Sequence, residues 1–195
     1  NFNGNGVNFI LNMQNKNEDY QGLFGYLDSN ANVYNLSVSG IVNGKDNVGS
    51  IVGHNKGTIH TVYSTAKING NDFTGGIVGY NSGDINSAYY IGNINAKSYV
   101  GGIVGFNDGE TIDTYVAAKI SGENQIGGVI GHQTTNGSSE YGYYNRTLVE
   151  VDNINDGLKP KTAIGNLGNT SSVYPMKVDE MNSGDLGTGL NKINF

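Results

Sequence analysis

The sequence predicts an all-β protein, a right-handed parallel β-solenoid whose coils of three short strands run ~26 residues each, with capping ends. Three observations lead there. The first is composition: the 195 residues include 31 glycines and about 30 asparagines, two types that favour turns and left-handed backbone. The second is a short block that recurs five times at a near-constant interval. The third is the texture between blocks, where brief apolar runs alternate with Asn/Gly turns in the manner of strands. Gly and Asn in this quantity argue against a helical bundle, and the lack of a G-X-Y period excludes collagen. Compact Val/Ile/Leu clusters, 13 Tyr and 6 Phe argue against disorder.

The repeat comes first. Gly22-Leu23-Phe24-Gly25 returns as Ser50-Ile51-Val52-Gly53, Gly76-Ile77-Val78-Gly79, Gly102-Ile103-Val104-Gly105 and Gly128-Val129-Ile130-Gly131. The closing glycines Gly25, Gly53, Gly79, Gly105 and Gly131 lie 28, 26, 26 and 26 residues apart. Asn55, Asn81 and Asn107 fall in the same register, as do Gly57, Gly83 and Gly109. Tyr63, Tyr89, Tyr115 and Tyr141 also share the 26-residue interval. The two extra residues of the first copy belong between Tyr26 and Asn32, a polar stretch that absorbs them as a loop.

In chain order, residues 1–20 form an atypical first rung or cap, with Phe2, Val7, Phe9, Ile10 and Leu11 as its apolar content. Residues 21–147 hold the five copies. In the copy beginning at Gly76 the strands are Gly76–Tyr80, Ile85–Tyr89 and roughly Gly92–Ala96. Units this small bury no core alone, so stacking at ~4.8 Å must pair their backbones and line up their side chains in columns. Ile51, Ile77, Ile103 and Val129 make one column, and Val52, Val78, Val104 and Ile130 the next. Strand alternation turns one of these two columns outward unless the chain bends at the flanking glycines. Right-handed winding follows the crossover preference. Residues 148–195 have no 26-residue match and supply the other cap or the start of a next module. There Pro175, Met176–Ser183 and Gly184 predict a short helix near 176–183.

The columns also carry the candidate sites. Asn55, Asn81 and Asn107 suit a structural role as turn residues with a stacked amide ladder; a row of ligand-binding amides is the alternative. Tyr63, Tyr89, Tyr115 and Tyr141 are packing residues or, if exposed, a sugar-stacking row, and they are the ligand-binding candidates. Asp84 and Glu110 fall on adjacent rungs, as do Asp46 and Asp72. Paired carboxylates perform acid/base chemistry or hold Ca²⁺, yet two solvated turn acids is the simpler reading of Asp84 and Glu110. His54, His60 and His132 lack the spacing of a zinc protease motif. His54 and His132 share a column three rungs apart, ~14 Å, too far for one metal. Asp152–Gly157 lacks the ligand pattern of a calcium loop, and no phosphate-binding glycine loop occurs. No catalytic residue, cofactor or metal site emerges.

A G-[LIV]-[FVI]-G block, a polar Asn/Gly turn, Ile-x-x-x-Tyr and a Val/Ile-x-Gly strand together resemble the GLUG repeat. Phe2-Asn3-Gly4-Asn5-Gly6 resembles the segment that precedes such arrays, Tyr143-Tyr144-Asn145 the segment that closes them, and Asp179-Glu180-Met181 a short helix beyond. Ser50 departs from the usual Gly, and Gln133 stands where earlier copies have Asn. The resemblance implies part of a large secreted or surface-anchored bacterial protein. Its parent would be either a filamentous-haemagglutinin-like adhesin or the non-catalytic region of an IgA1-specific metallopeptidase. It carries no catalytic residues across.

Charge narrows the partners. A net charge of −6, pI near 4.9 and a single arginine, Arg146, disfavour nucleic acid and anionic membranes. No apolar run is long enough to span a bilayer as a helix, and no cysteine provides a disulfide framework or thiolate site. Without a leader pattern at Asn1, the chain reads as part of a longer polypeptide. The expected function is therefore a non-enzymatic extracellular or cell-surface module, an adhesive surface or rigid stalk with a host glycan or protein as partner. The accessory region of a secreted peptidase is the alternative, and a polysaccharide-active enzyme using the stacked acids ranks below both.

Overall fold

The computed structural model describes residues 1–145, 151–153, 162–166 and 173–176. No helix occurs among them. In chain order the strands begin with β1 (Phe2–Met13), β2 (Phe24–Leu27), β3 (Asn32–Asn43), β4 (Val52–Asn55), β5 (Thr58–Ser64) and β6 (Lys67–Asn69). Next come β7 (Asp72–Gly75), β8 (Val78–Asn81), β9 (Asp84–Asn95), β10 (Ser98–Gly101), β11 (Val104–Asn107) and β12 (Glu110–Gly122). The last are β13 (Asn124–Gly127), β14 (Ile130–Gln133), β15 (Ser138–Asn145), β16 (Val151–Asn153) and β17 (Val173–Met176).

Three parallel sheets share these strands. The largest runs β1-β3-β5-β9-β12-β15-β17, with β6 between β3 and β9 and β16 beside β12. A second contains β7, β10 and β13, and a third runs β2-β4-β8-β11-β14. Each coil visits all three, and neighbours pair at the repeat interval, Val78 with Val104 and Ile85 with Thr111 for example. This is a parallel β-solenoid of stacked ~26-residue coils. β1 pairs in parallel with β3 and forms the first rung of the largest sheet.

Side-chain alternation explains how such thin coils close on a core. At the corner between the second and third sheets, Ile51, Ile77, Ile103 and Val129 are buried, and so are Val52, Val78, Val104 and Ile130. Successive residues both point inward because the chain bends there. The Ile77 carbonyl accepts from both Ile51 N at 3.0 Å and Val52 N at 3.2 Å. The bend leaves no room for a side chain at Gly75, where a Cβ would sit 2.1 Å from the Val78 carbonyl oxygen. The flanking glycines are thus the condition for burying both columns.

The strand boundaries differ from those the sequence predicts. The expected strands at Ile85–Tyr89 and 92–96 are one strand, β9, and the third side of the coil is the Asp72–Gly75 and Ser98–Gly101 series. Inside β9, Ser87 adopts φ of 54° and shifts the alternation by one residue. Ile85 points inward before it, and Ala88, Tyr90 and Ile94 after it. Asn35, Thr61, Asp113 and Tyr141 occupy the equivalent place with φ of 57°, 54°, 51° and 51°. This stacked bulge steers one long strand around a corner with its apolar side still inward.

Register locates both irregular coils. Leu27 pairs with Asn55 but Asn32 with Thr58, so the two extra residues of the first coil lie between Leu27 and Asn32, as the sequence predicts. Asn107 pairs with Gln133 but Glu110 with Ser138, so the last coil also carries two extra residues, in the Thr134–Gly137 turn. The helix expected near 176–183 lies outside the described residues apart from Met176. That residue ends β17, which pairs with β15.

Candidate functional site

The tyrosines of the largest sheet form a column, one position differently from the sequence expectation. Tyr63 pairs with Tyr89, Tyr89 with Tyr115, and Tyr115 with Tyr143. Tyr141 does not continue the column, because the two-residue insertion moves it to the left-handed bulge position, where it is exposed. The rings of Tyr63 and Tyr89 stack at 4.7 Å and 2°, so each covers one face of the other. Burial, helped by Tyr63, holds the Tyr89 phenol above its usual range, and burial raises Tyr115 as well. The column starts at Tyr63 because its register partner on the preceding rung is Ser37, too small to cover a ring. Tyr63, 37% exposed, is the most exposed member of the column.

A second aromatic column, absent from the sequence reading except for its two histidines, lies on the outer side of the third sheet. Tyr26, His54, Tyr80, Phe106 and His132 follow one another in register. Centroid distances are 4.6 Å for His54–Tyr80, 4.9 Å for Tyr80–Phe106 and 4.7 Å for Phe106–His132. Phe73 and Tyr99 stack alongside at 4.9 Å and meet Phe106 edge-on at 89° and 72°. Both are left-handed, with φ of 54° and 56°, a costly conformation for a bulky residue. Edge and offset stacking of this kind stabilises by about 0.5–1.5 kcal/mol per pair and offsets that cost. Burial, then the nearby Lys56, holds His54 below its ordinary pKa of 6.5. Burial likewise lowers His132, whose Nδ1 meets the Gln125 side chain.

The asparagine column is internal. Asn55 Nδ2 donates to Asn81 Oδ1 at 2.8 Å, and Asn81 Nδ2 to Asn107 Oδ1 at 2.9 Å. Asn107 reaches Gln133 Oε1 at 3.4 Å, so Gln133 continues the ladder. The same amides hold the turn, Asn55 Oδ1 accepting from Gly57 N at 3.0 Å. With all three asparagines fully buried, the ladder satisfies polar groups within the core and offers nothing to a ligand.

The acids stand apart from any built centre. Asp84 and Glu110 are register neighbours, both exposed. Asp46 accepts from Asp72 N at 3.2 Å and pairs with Lys45 at 3.4 Å, which in turn lies 3.8 Å from Asp19. These contacts brace the rung edges. Among the described residues no three His, Asp or Glu side chains converge as a metal site. His54 and His132 occupy one column three rungs apart, as predicted.

The molecule is defined at the level of class: a parallel β-solenoid with aromatic columns on two outer faces and an amide ladder inside. No family model, curated protein or solved structure matches the chain, so the likeness to GLUG repeats rests on the residues of the repeat themselves.

Proposed function

We propose that this chain is a GLUG-type segment of a bacterial surface or secreted protein, acting without catalysis as a rigid adhesive stalk. One observation supports this reading above the others: backbone pairing runs rung to rung from β1 to β15. Such pairing converts a short repeat into a stiff rod whose sides display the same residue type at ~4.8 Å intervals. A repeated lateral surface suits contact with an extended, repetitive partner such as a glycan chain. Tyr63 is the first stacking position on that surface.

The test displays the chain on an inert bacterial cell and on a glycan array. Binding to host or microbial glycans, weakened by Tyr63→Ala, is the expected result. Silence on the array together with no host-cell attachment would remove the adhesive role. Polysaccharide turnover that disappears in Asp84→Ala or Glu110→Ala would overturn the non-catalytic reading.

A further inference from the structure

Asn-Gly is the dipeptide most prone to close a ring on itself, because glycine leaves its backbone nitrogen unshielded beside the asparagine amide. The chain holds five: Asn3-Gly4, Asn5-Gly6, Asn43-Gly44, Asn69-Gly70 and Asn136-Gly137. All but Asn5-Gly6 are clamped. Gly44 N donates to Asn69 O and Gly70 N to Asn95 O, both at 3.0 Å. The amides of the same two pairs are tied as well, Asn69 Nδ2 donating to Asn43 Oδ1 at 2.7 Å and Asn43 Nδ2 to Gln14 Oε1 at 3.2 Å. Gly137 N donates to Thr134 Oγ1 and Asn136 Nδ2 to Asp108 Oδ1, both at 3.2 Å. Asn3 pairs in register with Tyr34, its Oδ1 accepts from Asn5 N at 2.9 Å, and Gly4 is buried against Leu36.

Asn5-Gly6 lacks such clamps. The pairing of β1 with β3 jumps from Asn3–Tyr34 to Val7–Leu36, so Gly4, Asn5 and Gly6 together face Asn35 alone. Asn5 and Gly6 are both exposed and left-handed, with φ of 53° and 74°. The Asn5 carboxamide has no hydrogen-bond partner among the described residues. Apart from its chain neighbours, a Cβ on Gly6 would meet nothing nearer than Asn35 Oδ1 at 4.0 Å. The peptide plane between the two residues therefore swings toward the Asn5 side chain at little cost, in a bulge that moves without opening the Val7–Met13 ladder.

We propose that Asn5 is a self-modification site, deamidating in the folded protein ahead of every other Asn-Gly pair. The Gly6 nitrogen gives its proton to hydroxide and bonds to Cγ of Asn5. The Cγ–Nδ2 bond breaks, and ammonia leaves with a proton returned by water. A water molecule then opens the succinimide ring. Addition at Cγ gives aspartate; addition at the backbone carbonyl carbon gives isoaspartate, whose main chain runs through Cγ. The net change is water gained and ammonia lost, with no oxidant or reductant. Isoaspartate lengthens the main chain by a methylene and adds a carboxylate. Val7–Met13 keeps its own run of pairs with Leu36–Val42. Phe2 and Asn3 lie beyond the new methylene, the Phe2 ring resting on Phe9 at 6.0 Å and Phe24 at 5.2 Å. The modification thus uncouples the start of β1 from the rest of the strand, whatever the chain binds.

The experiment incubates the folded chain at mildly alkaline pH and follows each Asn-Gly pair by peptide mass spectrometry, with fragmentation separating Asn3 from Asn5. Asn5 is expected to gain the mass of water less ammonia first, as a mixture of isoaspartate and aspartate, at a rate that rises with pH. Asn3, Asn43, Asn69 and Asn136 should lag by roughly tenfold or more, because their backbone must open before it reacts. In strong denaturant the five rates should converge. Asn5→Gln, whose ring closure is less favourable, should abolish the early event and leave the melting temperature unchanged. In the isoaspartate form, nuclear Overhauser contacts between the Phe2 and Phe24 rings should be lost while Val7–Met13 keeps its amide protection. Asn5 reacting no faster than the other four in the folded protein, or early ammonia loss persisting in Asn5→Gln, overturns the proposal. A lead for Asn5 that survives undiminished in denaturant belongs to local sequence alone and also overturns it. Intact Phe2–Phe24 contacts in the isoaspartate form overturn the uncoupling of β1.

Discussion

A Cβ built on Gly76 would lie 2.0 Å from the Gly102 carbonyl oxygen and 2.4 Å from Cγ of Tyr90. One coil earlier the equivalent residue is Ser50, whose hydroxyl donates to the Gly76 carbonyl. The difference lies in what faces each position: Tyr90 pairs with Ser64 on the preceding rung, so the coil with the larger core residue has the smaller corner. Tyr90 is fully buried and its hydroxyl donates to Ala66 O at 2.7 Å. Gly76→Ala is expected to cost about 1–3 kcal/mol by overpacking, read from denaturant unfolding, whereas Ser50→Gly should cost less. His54 poses a different residue-scale question. Its Nε2 is buried without a partner, and burial holds the imidazole below 6.5. The folded state then binds fewer protons than the unfolded one just below that pH. The corresponding stability is complete above about pH 6.5 and is lost as pH falls through the window beneath it. His54→Phe keeps an aromatic ring on Tyr80 and should raise stability at pH 7 by about 1 kcal/mol. It should also flatten the fall in melting temperature between pH 7 and pH 5, the remainder belonging to His132.

β5 and β9 bend through a residue that the backbone makes left-handed whatever its type. Asn35 suits φ of 57°, whereas Thr61 at 54° is β-branched and strained. Because Asn35 occupies the same register position one rung earlier, Thr61→Asn should stabilise the protein by up to about 1 kcal/mol without shifting the rungs. A drop in thermal stability would mean that the bulge is not relieved by Asn. The same position explains where the sequence was readable and where it was not. Repeated glycines and asparagines announce the period because the corner and the ladder use those types on most coils. The bulge accepts Asn, Thr, Ser, Asp and Tyr in turn, so no residue pattern marks it, and β9 reads as two strands. The second-sheet strands Asp72–Gly75 and Ser98–Gly101 are short and put Phe73 and Tyr99 outward, which hides their alternation. Tyr141 takes the place of Tyr143 in a 26-residue count because the Thr134–Gly137 insertion has no marker beyond its polarity.

The molecule as a whole depends on coils lying in parallel register, since register alone brings residues 26 apart into contact. It aligns the amide ladder and stacks the aromatic columns. Thr58, Asp84 and Glu110 form one series along it, Thr58 half-buried and the two acids exposed, each pairing with the next. Neighbours in a parallel ladder lie ~4.8 Å apart, inside the ~4.4–6.8 Å range that a disulfide bridges. Residues two rungs apart, at ~9.6 Å, lie beyond it. The chain has no cysteine of its own, so each double variant reports one distance. Asp84→Cys/Glu110→Cys should oxidise almost completely under mild oxidant while the protein stays folded, and Thr58→Cys/Glu110→Cys should stay reduced. Equal crosslinking in the two variants, or none in the first, would contradict the stacked-coil architecture.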